Sequence, residues 1–316
     1  MEVRAPFGFV TSCYGKDLLL VQGVLASIKH YCPDVPICLI VDGDVDVSEL
    51  ESEYGVWTLR ISEMESDEMR ELIQGSTRTK LAAMWEGPFE HFVWMDSDAI
   101  LWGDITPLVR TDVDFQIFWD EISIPADAEE IPGWLAHYYF DMEKLSGLDA
   151  DFDWRGRAYF CDGVYACKRN AMSYSSWEQV VRWGEQENRP WPKGFNCMPM
   201  MNYLVHSLAD QGKLSVAMAD LQHIPVHHGH EEPDRDMIGC KWHFPRSIER
   251  PKIIHFCGRK PNIFDSNAYS KPFTIARLAH YRRHHSALGA WRMVLAEDAK
   301  IRSAKAWGRV KRWLGK

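Results

Sequence analysis

Apolar positions along this chain recur with two periods, and the switching between them outlines the fold. Phe7-Gly8-Phe9-Val10-Thr11-Ser12 is an apolar run of strand length, and residues 17–31 follow with Leu18, Val21, Leu25 and Ile28 on one helical stripe. Pro33 and Pro36 bracket a turn, and residues 35–41 form a second apolar run that ends at Asp42-Gly43-Asp44. A strand, a helix and a strand joined by a short crossover make a βαβ unit, which predicts an α/β fold around a mainly parallel sheet. Helices are expected over residues 62–73 and 77–85, with Gly75 as the break, and strands over 91–95 and 113–119. Residues 120–158 are rich in acids, aromatics, Gly and Pro and read as a loop-and-helix insertion. A strand-like run at 160–167 and helices at 172–183 and 202–209 complete the pattern. No repeat, low-complexity tract or linker precedes residue 280, so one domain is expected over residues 1–280, followed by a tail over 281–316.

One polar interruption stands out. The apolar run His91-Phe92-Val93-Trp94-Met95 passes directly into Asp96-Ser97-Asp98 and resumes as Ala99-Ile100-Leu101-Trp102. In extended backbone, residues i and i+2 point to the same side, so Asp96 and Asp98 are expected to converge as hard oxygen ligands for a divalent cation. The chain holds seven Asp-x-Asp patterns, and Asp96/Asp98 is the one with apolar flanks on both sides. Burying two carboxylates there is costly unless a cation or hydrogen-bond donors compensate. Downstream, Ile253-Ile254 leads into His255-Phe256-Cys257-Gly258-Arg259-Lys260-Pro261, which offers an imidazole, a glycine and a lysine. These are parts suited to holding a metal-bound diphosphate. Ligands of open α/β sheets bind at the carboxyl ends of the strands, and Thr11, Ser12, Asp42 and Asp96/Asp98 all fall at such ends.

Charge and cysteine usage narrow the class. A net charge of −9 with no basic patch in the body argues against nucleic acid as a partner. The eight cysteines include no C-x-x-C pair, the N-terminus lacks the apolar core of a signal peptide, and no run approaches the ~20 apolar residues of a membrane span. Reduced cysteines and a cytoplasmic location are expected. His223, His227, His228 and His230 with Glu231 and Glu232 are dense enough for zinc, which keeps a metal-dependent hydrolase in view. Their spacing matches no H-E-x-x-H signature, and Pro225, Gly229 and Pro233 make the segment a loop. The chain has no GxSxG elbow, P-loop or GxGxxG. From Lys300 to Lys316 there are seven Lys or Arg and no acid; without them the net charge falls from −9 to −16. On a helix at about 100° per residue, Ala306, Trp307, Val310, Trp313 and Leu314 share one face, and Arg302, Lys305, Arg309, Arg312 and Lys316 share the opposite one. Such a helix fits an anionic membrane surface, peripheral at its inner face; a helix docked on the protein's own core, or a disordered basic tail, fits the pattern as well.

Residues 7–265 resemble glycosyltransferases of the GT-A fold, most like the retaining family 8 enzymes, which include glycogenin, galactinol synthase and bacterial lipooligosaccharide galactosyltransferases. The resemblance rests on the strand running into Asp96-Ser97-Asp98, on Phe160 to Val164, and on His255, Gly258, Lys260 and Pro261. The family pattern is H-x-x-G-x-x-K-P-W; here the Lys-Pro pair comes one residue early and Asn262 stands in place of the tryptophan. The resemblance implies that Asp96, Asp98 and His255 bind Mn²⁺, with Mg²⁺ as an alternative; mixed carboxylate and imidazole ligation favours Mn²⁺. It places Gly258 and Lys260 against the phosphates of a UDP-sugar, and Thr11, Ser12, Tyr14 and Asp42 around the nucleotide. Arg78 and Lys80 become phosphate or sugar contacts, and Asp162 a sugar-facing position where the family more usually has asparagine. The implied reaction moves a hexose, glucose or galactose, from a UDP-sugar to an acceptor hydroxyl with retention. The acceptor is a glycan, lipid-linked if the tail lies on a membrane. An inverting GT-A enzyme would instead need a carboxylate base, for which the acids between residues 120 and 153 are candidates. A non-catalytic sugar-binding module is the remaining class.

Overall fold

The computed structural model describes residues 2–15, 17–75, 77–119, 122–192, 197–225, 242–257 and 270–313, with side chains to residue 303 and Ser270 described in backbone only. The elements run in chain order as β1 (Ala5–Cys13), α1 (Leu18–Tyr31), β2 (Ile37–Val41), α2 (Ser48–Tyr54), β3 (Trp57–Arg60), α3 (Asp67–Ile73), α4 (Leu81–Glu86), β4 (Phe89–Met95) and β5 (Ala99–Trp102). There follow β6 (Phe115–Phe118), β7 (Ser123–Ile124), α5 (Gly133–Tyr138), α6 (Met142–Ser146), β8 (Arg157–Ala158), β9 (Val164–Lys168), α7 (Tyr174–Glu185) and α8 (Met198–Asp210). The last are β10 (Val216–Ala219), β11 (Gln222–His223), β12 (Lys252–His255), α9 (Ser270–Tyr281) and α10 (Ala287–Trp313).

A seven-stranded sheet in the order β10-β6-β9-β4-β1-β2-β3 forms the centre. Its pairings are parallel except at β9, which runs antiparallel to both β4 and β6. Both faces are covered. Phe92 and Trp94 of β4 pack with α4, α7 and α8, while Val93 and Met95 pack on the other side with α1. A strand buried on both faces reads as an unbroken apolar run, which is why β4 shows no alternation. A smaller sheet, β11-β12-β5, lies beside α9, and the chain passes from the large sheet to the small one between β4 and β5.

Three expectations from the sequence shift, each for a local reason. The helix expected over 62–73 starts only at Asp67, because Ser66 is extended and its hydroxyl caps the Met69 N–H at 3.2 Å. The helix expected over 77–85 is a 3₁₀ turn, Thr77–Lys80, that feeds α4. The strand expected from residue 160 begins at Val164, because Phe160 is drawn out of the ladder: Asn202 accepts from its N–H at 3.0 Å and donates to its C=O at 2.8 Å. The insertion over 120–158 contains α5, α6 and the β7–β8 pair among its described residues.

α8 thus supplies buried polar side chains that fix the segment entering β9. Asn202 holds Phe160, and His206 Nε2 lies 3.0 Å from the Ala158 C=O. The neutral imidazole donates to that carbonyl. Burial, helped by Arg157, lowers the His206 pKa from 6.5 to about 4. In the unfolded chain the ring takes up its proton near pH 6.5; in the fold it resists until about pH 4. Its contribution is therefore whole above pH 6.5 and is lost progressively as pH falls toward 4, by up to about 3 kcal/mol. Urea unfolding at pH 7.5 and 4.5 is expected to show this loss in the native sequence and a flatter dependence in His206→Gln. An equal pH dependence in the two proteins would contradict it.

Candidate metal centre and active site

The reversed direction of β9 builds the site. Met95 at the end of β4 pairs with Val164 at the start of β9, so the residues leaving β4 meet those entering β9. The Asp96 N–H donates to the Gly163 C=O at 2.7 Å. The Ala99 N–H then donates to the Asp96 C=O at 2.9 Å and closes a tight turn. β12 runs antiparallel to β5 with His255 opposite Ala99, and the Phe256 N–H donates to the Asp98 C=O at 3.0 Å. The two carboxylates converge because the chain turns between two sheets, not because the backbone is extended as the sequence suggested.

His255 Nε2 lies 3.4 Å from Asp98 Oδ1 and 3.8 Å from Asp96 Oδ2. One ligand atom from each of the three residues falls within 4.8 Å of the others. Asp98 and His255 are almost fully buried at 4% and 2% exposure, whereas the Asp96 side chain keeps an open side. Two carboxylate oxygens and an imidazole nitrogen around one point, with access from one side, fit a divalent cation that keeps positions for a ligand. The electrostatics agree. Burial raises the Asp96 carboxyl pKa above its ordinary value, Asp98 and Asp162 adding to the rise and Lys80 and His255 opposing it. Burial works against a charged His255, but Cys161 and Asp98 outweigh it and raise the proton affinity of the ring. A proton on Nε2 and a cation compete for the same position between the carboxylates.

Lys80 stands behind this triad. Its Nζ donates to the Asp162 C=O at 2.8 Å and lies 3.0 Å from Asp162 Oδ2 and 3.4 Å from Asp96 Oδ1. Burial works against its charge, yet Asp162 and Asp96 hold the pKa well above the ordinary lysine value. Trp94 Nε1 donates to the same Asp96 Oδ1 at 2.8 Å. Asp96 therefore has one oxygen anchored by Trp94 and Lys80 and the other turned toward His255. Cys197 sits beside Asp162, its thiol raised well above the usual range by burial and by that carboxylate.

The expected nucleotide residues cluster at the neighbouring strand ends. Thr11 and Ser12 are buried at the end of β1, and the Thr11 hydroxyl has no hydrogen-bond partner among the described residues. Asp42 follows β2; its Oδ2 accepts from the Gly75 N–H at 2.8 Å and from the Thr79 hydroxyl at 3.1 Å. The Thr79 hydroxyl also bonds the Tyr14 phenol, which burial lifts to about 12. Tyr14 and Asp42 thereby tie down the 75–80 segment that carries Arg78, half-buried on the 3₁₀ turn, and Lys80. Gly258 and Lys260 lie outside the described residues, as do His227, His228, His230, Glu231 and Glu232. His223 is on β11, opposite Ile254.

Two contributors had no individual signal in the sequence. Gln222, on the two-residue strand β11, touches His255. Gly163 packs directly beneath the imidazole: a Cβ there would come within 2.1 Å of His255 Cε1. Gly163 is held by its bond to Asp96, so the ring rather than the backbone would have to move. Gly163→Ala is expected to destabilise the fold by about 1–3 kcal/mol through overpacking and to weaken divalent-cation binding. Urea unfolding and Mn²⁺ titration check both; native values for each would show that the ring has room to spare.

No protein-family model matches this sequence, and no curated protein matches it. Solved structures do match in shape. The galactosyltransferase LgtC, determined in complex with donor and acceptor sugar analogs, is similar at a TM-score of 0.52 and 16% identity, over 87% of this chain and 95% of that one. The bifunctional glycosyltransferase WbbM, in its apo form, gives 0.53 and 15% over 90% of this chain and 52% of that one. The glycosyltransferase GlyE of Streptococcus pneumoniae gives 0.52 and 13% over 94% and 63%. The chain thus spans about half of WbbM and less than two thirds of GlyE. The fold is the GT-A glycosyltransferase fold expected from the sequence.

Proposed function

We propose that this protein is a metal-dependent glycosyltransferase that moves a hexose from a UDP-sugar to an acceptor hydroxyl. The observation that carries this reading is the Asp96–Asp98–His255 cluster at the carboxyl edge of a GT-A sheet. A divalent cation held there, Mn²⁺ by preference over Mg²⁺, would supply positive charge against the diphosphate of the leaving nucleotide. The protein's own side chains do the rest. Lys80 fixes the Asp162 carboxylate, the candidate contact to the transferred sugar, and neutralises it beside Asp96. Thr11, Ser12 and Tyr14 line the nucleotide side, and Gly258 and Lys260 are proposed to face the phosphates. Glucose or galactose, and retention, follow from the family resemblance. Asp141 caps α6, Asp149 accepts from the Tyr203 hydroxyl, and Asp153 pairs with Arg155, so three of the acids considered as an inverting base serve local structure.

The test is UDP release from UDP-glucose and UDP-galactose with Mn²⁺, with and without chelator. Asp98→Ala is expected to lower turnover at least ~100-fold, as loss of a group that holds the charge stabilising the leaving group commonly does, while circular dichroism stays native. Near-normal turnover of the folded variant at saturating Mn²⁺ would sink the reading.

A further observation favours a membrane surface as the place of reaction. α10 has two acids, Glu297 and Asp298, and both turn inward. Asp298 accepts a bidentate pair from Arg277 of α9 at 2.7 and 2.9 Å, and Glu297 accepts from the Tyr281 hydroxyl. Ala290 and Val294 are buried on the same side, while Leu288 and Leu295 are 64% and 41% exposed. The outer side of α10 therefore presents exposed leucines with Arg292, Lys300 and Arg302, and the helical backbone continues through Trp313. No helix among the described residues is long and apolar enough to cross a membrane. An amphipathic basic helix suits the anionic cytoplasmic face, each basic residue contributing about 1 kcal/mol, and a lipid-linked glycan acceptor. Co-sedimentation with anionic vesicles is expected to be salt-sensitive and to weaken in a chain ending at Arg302, which keeps the Arg277–Asp298 pair. Equal sedimentation of both chains would remove the distal helix from this account.

A further inference from the structure

Gln222 is 1% exposed, and its position is set by the small sheet. β11 runs parallel to β12 with Gln222 beside Ile253, so its side chain shares a face with Ile253 and with His255 two residues on. Its Nε2 lies 3.1 Å from His255 Nδ1, on the edge of the ring opposite the atom that faces the carboxylates. Its Oε1 is buried with no hydrogen-bond partner among the described residues. A buried carboxamide with one end unpaired is unfavourable, and an apolar residue would fill the same space without that penalty. The carboxamide is explained by what it does to the ring.

A half-turn about the last torsion exchanges the amide oxygen and nitrogen with almost no change in shape. The oxygen can then accept a proton from Nδ1. An imidazole that holds its proton on Nδ1 has its lone pair on Nε2, the nitrogen 3.4 Å from Asp98 and 3.8 Å from Asp96. Nδ1 has a second, longer contact, Cys161 Sγ at 3.7 Å, within hydrogen-bond reach for sulfur, and Gly163 touches the ring at Cε1. Gly163 limits how the ring can tilt, and Gln222, at 3.1 Å, is the nearer of the two partners of Nδ1 and a stronger acceptor than a thiol sulfur.

We propose that Gln222 is a positioning residue for the metal centre, its carboxamide oxygen accepting the Nδ1 proton so that the Nε2 lone pair of His255 faces the cation. A neutral acceptor also suits the task. It orients the ring without adding a third negative charge to a cluster that already holds Asp96 and Asp98. This inference rests on the metal-site reading.

The experiment is Mn²⁺ affinity of the full chain, read by electron paramagnetic resonance of free Mn²⁺ without nucleotide. The proteins compared are the native sequence, Asp98→Ala, Gln222→Met and Gln222→Glu, with melting in chelator as the fold check. Gln222→Met, which keeps the volume and loses the acceptor, is expected to bind 10- to 100-fold more weakly, the usual effect of losing a partner behind a histidine ligand. Gln222→Glu, which can only accept, is expected to stay within about threefold of native, as a carboxylate behind a ligand histidine does. A second measurement needs no variant: ¹⁵N shifts of His255 in the native chain with Mg²⁺ are expected to report a proton on Nδ1. Native affinity in Gln222→Met, equal losses in both Gln222 variants, or a proton on Nε2 with Mg²⁺ bound would each overturn the inference while leaving the metal site standing. No Mn²⁺ binding by the native chain would overturn the metal site and this inference together.

Discussion

Two carboxylates meet one buried imidazole where the chain crosses from the large sheet to the small one, and their mutual repulsion is the constraint around which the site is arranged. Each nearby group eases or directs that charge. Lys80, buried between Asp96 and Asp162, neutralises from behind, and Trp94 holds the Asp96 oxygen that faces away from His255. Three backbone hydrogen bonds, Asp96 to Gly163, Ala99 to Asp96 and Phe256 to Asp98, fix the three chain segments relative to one another. Such a cluster is stable when paired and hydrogen-bonded and costly when any member is removed, because the low-dielectric surroundings magnify both effects. A cation would complete the cluster, so the metal binding proposed for it and the stability of this corner of the fold rest on the same balance.

The topology explains why so few elements suffice. In a wholly parallel sheet the chain entering a strand lies at the far edge from the chain leaving its neighbour. Reversing β9 brings Cys161, Asp162 and Gly163 to the same edge as the ends of β1, β2 and β4. α8 then holds the incoming segment through Asn202 and His206, so the stretch that carries Asp162, the position proposed to face the sugar, is braced by a helix. The side proposed for the nucleotide is braced in the same manner: Asp42 and the Tyr14–Thr79 pair tie the 75–80 segment to two strand ends. Residues expected to touch a ligand also organise the loops around it, as the supporting shell of a precise site requires.

The C-terminal helix follows a different logic. Its inner face is fastened by the buried Arg277–Asp298 pair, and its outer face leaves leucines exposed among basic residues. The chain thus separates a strongly acidic body from a basic end, an arrangement that lets one end approach an anionic surface while the body is repelled from it.

The sequence by itself determined a good deal. Apolar runs and their periods gave the first βαβ unit and the parallel sheet, because burial on both faces writes itself into consecutive residues such as Phe92 to Met95. The apolar flanks singled out Asp96 and Asp98 from six similar pairs, since charge surrounded by buried positions is conspicuous in one dimension. What the tertiary structure alone decided is whatever depends on contacts between distant segments. The carboxylates converge through a turn pinned by Gly163 and Phe256, 67 and 158 residues on from Asp96 and Asp98. Gln222 reaches His255 from a strand two residues long, too short to leave a period. Lys80 is expected from the sequence only as a phosphate or sugar contact; that it is also an internal counter-charge to Asp96 and Asp162 is not legible there, because desolvation and ion pairing are properties of a packed environment rather than of a residue type.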